Sequence, residues 1–251
     1  MIKFFRKIRQ NLLLKNKTGK YFKYAIGEII LVVIGIMIAL QINNWNDARK
    51  EKKELNLYLA KISNNIQLDI KNLTEIKKQR IATNKACKKA LVNFQNNSYD
   101  LFVNINAASV FIDFYFTPNQ SGYAALKNSS YLGKINGTRV DSLIDTYNTI
   151  VNKTIKEEIS FFNFVENMEV IWAAKFDMSE LVSVYMNQNR LNIEELDDNL
   201  KSKLKKSFSD ASFRSTVTRG AIQTGMLSYY DEIIKVGNEL IKEIEKSTKG
   251  F

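Results

Sequence analysis

The sequence predicts an all-α protein: an N-terminal transmembrane helix continuing into an elongated helical bundle of three long helices plus short connecting helices. Three observations predict it. A single proline, Pro118, stands in 251 residues, so little interrupts a helix. Apolar residues recur at spacings of three and four over long stretches. Ile29 to Leu40 is twelve apolar residues without a charge, the centre of the only segment that reads as a membrane span.

The elements follow in order. Residues 1–23 form a basic cytoplasmic tail. Ile2, Phe5, Ile8 and Leu12 share one helical face there, with Lys3, Arg6, Lys7 and Arg9 around it. Two readings stand for this stretch, a short helix lying on an anionic leaflet or an unstructured basic tail. Gly19 offers a bend before the span. Residues 24–45 form the transmembrane helix, about 33 Å long at the helical rise against a hydrocarbon core of roughly 30 Å. Tyr21, Tyr24 and Trp45 are its interfacial anchors. No small-x-small site follows Leu40, and Gln41 to Trp45 read on as helix, so an uncleaved signal anchor is expected.

Residues 46–251 form the helical domain. Leu55, Leu59, Ile62, Ile66, Ile70, Leu73 and Ile76 carry the first helix to about Val92. A second starts near Arg139 after the Asn136-Gly137 turn, with Thr138 and Asp141 as a capping box. Its stripe is Val140, Ile144, Tyr147, Val151, Ile155, Ile159, Phe162, Val165 and Trp172. A third starts near Asp210 with Ser209 as N-cap. Its stripe is Phe213, Val217, Gly220, Thr224, Leu227, Ile234, Gly237, Ile241 and Ile244, and its glycines allow close backbone approach. Residues 110–116 alternate like a strand, yet in this context they read as a short buried helix or an extended linker ended by Pro118. Ser121 to Leu132 reads as a short helix. Residues 178–206 read as one or two more, with Asn192 and Glu195 as a start signal.

The formal net charge of +11 suggests nucleic acid at first. The distribution argues otherwise. Eight of the 37 basic residues precede Tyr24, with no acid among them, and the remainder nearly balances. A basic flank on one side of a span is the positive-inside pattern. The N-terminus is therefore expected in the cytoplasm and the bulk of the chain outside it, with a lipid bilayer as partner and no nucleic acid. Histidine is absent, which removes the commonest general base and metal ligand. Cys87 is the only cysteine, so no internal disulfide forms. No cofactor, metal or catalytic residue is expected.

FFRKIRQNLL followed by YAIGEIILVVIGIMIALQINNWN at Tyr24 to Asn46 resembles the N-terminus of a family of uncharacterised Bacteroidota membrane proteins, domain of unknown function 6090. TPNQSGYAALKNSSYLGKINGTRVDSLIDTY at Thr117 to Tyr147 and FRSTVTR near Phe213 are similar to later pieces of it. The resemblance implies an inner-membrane anchor with a periplasmic helical domain. It implies no activity and carries over no functional residue.

Glu28 is the sharpest candidate, because an ionisable group inside a span is costly. Glu28, Gly35 and Ala39 fall within about 40° of one another on a helix, and Gly35-x-x-x-Ala39 permits close helix contact. The readings are an oligomerisation face, for a homodimer or a partner membrane protein, or a Glu28 side chain that snorkels to the headgroups. Phe111, Phe114, Phe116, Tyr123, Tyr131, Phe161, Phe162, Phe164, Trp172 and Phe176 either line an apolar pocket or pack the core, and core packing is favoured. The pairs Glu157-Glu158, Glu194-Glu195, Asp197-Asp198 and Asp231-Glu232 point about 100° apart on a helix and read as solvated surface. Cys87 lies among Lys85, Lys88 and Lys89, which lower a thiol pKa where they reach it, but a lone helix thiol without a partner is favoured as incidental. The expected function is a single-span anchor presenting a protein-interaction, scaffold or ligand-sensing module. The alternatives are a subunit of a larger envelope transport or secretion complex, or an envelope enzyme using Ser/Lys or carboxylate chemistry.

Overall fold

The computed structural model describes residues 18–187 and 193–249. The stretch at 2–14, the side chain of Tyr21 and the start signal at Asn192 lie outside the described residues. Among those described there are eight α-helices and no strand, so the fold is all-α. The chain divides into two compact units, one ending at Leu57 and one beginning at Tyr58.

Helix α1, Thr18–Gln95, contributes to both units. Gly19 lies within its first turn and makes no bend. In the first unit the apolar window of α1 is entirely exposed. A helix apolar on every face is stable only where something apolar surrounds it. Among the described residues this is the one helix long and apolar enough to cross a membrane.

In the second unit the core seam of α1 runs Leu59, Ile62, Ile66, Asp69, Leu73, Ile76, Arg80, Thr83, Cys87 and Ala90, all buried. The steps alternate three and four without a fault, the spacing that keeps one face toward a partner helix. Helix α4, Arg139–Ala173, repeats the spacing with Val140, Ile144, Tyr147, Val151, Thr154, Glu158, Phe161 and Val165. Helix α8, Gly225–Lys249, repeats it with Met226, Tyr230, Ile233, Leu240 and Ile244 around Gly237. Cross-contacts set the directions. Asp69 meets Tyr147 and Arg80 meets Phe161 and Phe162, so α1 and α4 run parallel. Arg139 reaches Glu243 and Glu158 meets Tyr230, so α8 runs antiparallel to α4.

Parallel neighbours need a long crossover. It holds α2, Leu101–Ala107, and α3, Ser121–Lys127. Residues 110–116 are neither strand nor one helix: a 3₁₀ turn covers Ala108–Phe111 and chain without regular secondary structure follows to Gln120. Helix α3 stops at Lys127, short of Leu132. Thr138 caps α4 as expected, its hydroxyl accepting from the Asp141 amide at 3.3 Å. The Asp141 carboxylate, however, accepts from Gly137 N–H rather than from Thr138.

The third long helix is two helices. Helix α7, Ala211–Ile222, is capped by Asp210 rather than Ser209. It ends at an extended Gln223, and α8 begins two residues later. The break resets the buried face by one residue. Thr224 is exposed, Leu227 and Ile234 are half-buried, and Met226, Tyr230 and Ile233 take the core. Asn84 stabilises the break from α1, its side-chain amide donating to the carbonyls of Gly220 at 2.8 Å and Ala221 at 2.9 Å. On α4, Ile159 is exposed and Ile155 half-buried, their expected places taken by Thr154 and Glu158. Helices α5, Met178–Met186, and α6, Asp198–Phe208, complete the set.

Candidate functional site

An extended segment without a sheet partner must find acceptors for its amides elsewhere. The strap from Phe114 to Gln120 and the first turn of α3 find them on buried side chains. Arg80 donates through Nη2 to the Phe114 carbonyl at 2.7 Å. The Phe116 amide donates to Glu158 Oε2 at 3.0 Å, and the Asn119 amide to Asp69 Oδ1 at 2.8 Å. The Gly122 amide donates to Asn65 Oδ1 at 2.7 Å. Each carboxylate takes a second donor from a phenol, Tyr147 Oη on Asp69 and Tyr230 Oη on Glu158. Gly122 fits because it has no side chain: a Cβ there would lie 2.8 Å from the Ile62 backbone nitrogen.

Burial pushes both carboxyls above their ordinary values. For Glu158 the Tyr230 and Phe116 hydrogen bonds and the nearby Arg80 pull the other way without winning. For Asp69 the opposing bonds come from Asn119 and Tyr147. The same desolvation raises the phenols of Tyr147 and Tyr230. Arg80 lies over the rings of Phe114, Phe161 and Phe162, the last at 4.6 Å. Beside Asp69 a cavity of about 20 Å³ has room for about one water. These side chains hold backbone in place, and among the described residues no three His, Cys, Asp or Glu gather to hold a metal.

The pairs of acids on the surface are where the sequence puts them, with one correction. Glu158 is 1% exposed, a core residue and not a solvated one. Its signal was the spacing: 158 falls in step with 151, 154, 161 and 165. The predicted aromatic set divides: four of its members pack the core, while Tyr123, Phe164 and Phe176 each line a surface cavity. Phe116, Phe161, Phe162 and Trp172 are buried. Trp172 stacks on Phe111 at 5.0 Å and packs at a tilt against Phe213 at 5.0 Å, and its indole donates to the Ser207 carbonyl. The lysines beside Cys87 do not reach its thiol, which is fully buried and pushed up to about 12.

The membrane residues lie on α1. Tyr24 and Trp45 are both more than half exposed and bracket the apolar window, about 32 Å apart along the axis. Glu28, Gly35 and Ala39 share one face between them, and a Cβ added at Gly35 would meet nothing within 4 Å.

A model of a family of unknown function, DUF6090, matches residues 28–156, just over half the chain. The chain belongs to DUF6090. The DUF6090 match begins at Glu28 inside the apolar window and takes in Asn65, Asp69, the strap and Tyr147. It stops two residues before Glu158. No curated protein and no solved structure matches this DUF6090 chain.

Proposed function

We propose that this DUF6090 protein is a single-span anchor in a bacterial inner membrane, with residues 1–23 in the cytoplasm and the helical unit in the periplasm. There the unit acts as a protein-interaction, scaffold or ligand-sensing module and not as an enzyme. One observation carries the reading: an apolar helix exposed on every side, with eight cations and no acid before it. Such a helix is covered by lipid, and its basic flank stays on the cytoplasmic side. The interior supports a non-catalytic use. Its buried carboxylates are engaged by backbone amides and phenols, which leaves neither of them facing a substrate-sized space. The open Glu28, Gly35 and Ala39 face supports a second helix against the span, from another copy or a partner membrane protein.

A phosphatase reporter fused behind Phe251 is active only when exported. Activity, together with a chain that stays with membranes through a high-salt wash, is the expected result. A reporter silent outside the cytosol, or a chain released by salt, sinks the reading. A second reading, a subunit of a larger envelope transport or secretion complex, draws on exposed apolar residues of α4. Ile159 and Val170 are 49% and 70% exposed and, eleven residues apart, share one face. A stable complex surviving mild detergent extraction distinguishes it.

A further inference from the structure

The segment FRSTVTR places Arg214 and Arg219 on α7, where they line an open groove of about 510 Å³. Phe164 of α4 also lines it, together with Ala211, Ser215, Thr218 and Ile222 of α7. Each guanidinium rests on an aromatic ring, Arg214 at 5.1 Å from the centre of Phe94 and Arg219 at 5.9 Å from that of Phe164. Beyond these rings, neither guanidinium makes a hydrogen bond or ion pair among the described residues. Arg219 Nε is buried and has no hydrogen-bond partner. Other arginines of the unit are used: Arg80 donates to the Phe114 carbonyl, and Arg139 reaches Glu239 and Glu243. No carboxylate lines the groove. Asp210, at the start of α7, is taken by Ser212 and by Lys175 at 3.0 Å.

We propose that this groove binds a small organic oxyanion, a carboxylate or phosphate group carried on an apolar body. The two arginines supply the groove with positive charge and planar donors of the kind an oxyanion takes. Phe164 and Ile222, the latter 61% exposed, give the apolar body a surface to cover. The volume falls within the usual range of small-ligand sites, about 300–1,000 Å³. The site deepens the ligand-sensing form of the function proposed above and rests on it only there; sidedness and anchoring are read by the reporter fusion and stand if this site fails.

The test is calorimetric titration of the full chain in non-ionic detergent with phenyl phosphate, benzoate, inorganic phosphate and benzyl alcohol. Phenyl phosphate and benzoate are expected to bind saturably and more tightly than inorganic phosphate, and benzyl alcohol not to bind. Arg214→Gln with Arg219→Gln should weaken phenyl phosphate binding by about tenfold or more, equivalent to about 1.4 kcal/mol. Arg214→Gln alone, at an exposed position, should weaken it with an unchanged melting temperature, which separates lost binding from lost folding. Aromatic anions that bind no better than benzyl alcohol, or an affinity both variants leave intact, overturn the proposal. So does inorganic phosphate binding as tightly as phenyl phosphate, since the apolar walls then contribute nothing.

Discussion

At Glu158 a carboxylate accepts the Phe116 amide and the Tyr230 hydroxyl where water is excluded. Burial is the largest influence on its pKa and on that of Asp69, and it raises both. The folded chain therefore holds protons on these groups more tightly than the unfolded chain does. Their contribution to stability is full below about pH 4 and is lost as pH rises through the raised values. Glutamine at 158 offers an oxygen to the Phe116 amide and an NH₂ to the Tyr230 oxygen, and it does not ionise. Urea unfolding of Glu158→Gln, followed by circular dichroism, should depend less on pH between 4 and 8 than that of the native chain. Glu158→Ala leaves a buried amide and hydroxyl unpaired and should cost about 3 kcal/mol. Equal damage from both substitutions would show that the side chain is held for its charge.

The crossover owes its path to short-range accommodation by helix α1. Gly122 sits against the Ile62 backbone, so Gly122→Ala pushes on main chain that cannot yield locally. An expected loss of about 2 kcal/mol, measured by the same urea unfolding, checks it; a neutral substitution would mean that α3 is free to lift away. The long helices were legible in the sequence, because Leu59, Ile62, Ile66 and their counterparts on α4 repeat at the right spacing. The seam past Ile76 was not. Its next two positions are Arg80 and Thr83, and a reading that follows apolar residues alone stops there. Glu158 was hidden for the same reason, a polar residue in a core position that only its backbone partner explains. The end of α7 was hidden because Gln223 and Thr224 carry no breaker residue. What stabilises the break, Asn84, lies more than a hundred positions earlier.

For the molecule as a whole, the candidate membrane helix carries Glu28, Gly35 and Ala39 on one side, with open space at Gly35. If that face pairs two copies, chemical crosslinking in intact membranes should trap a dimer. Gly35→Leu, which fills the space a close neighbour needs, should reduce it several-fold. Unchanged crosslinking would assign the face to lipid. The strap has a consequence on another timescale. Its amides are taken by Asp69, which precedes it, and by Glu158, which is itself held by Tyr230 from much later in the chain. A ribosome therefore delivers α1 and the strap well before the acceptor Glu158, and the phenol that donates to it, exist. Until Tyr230 emerges, the nascent polypeptide displays an unclosed seam along α1, so closure of this core waits on synthesis of the last helix.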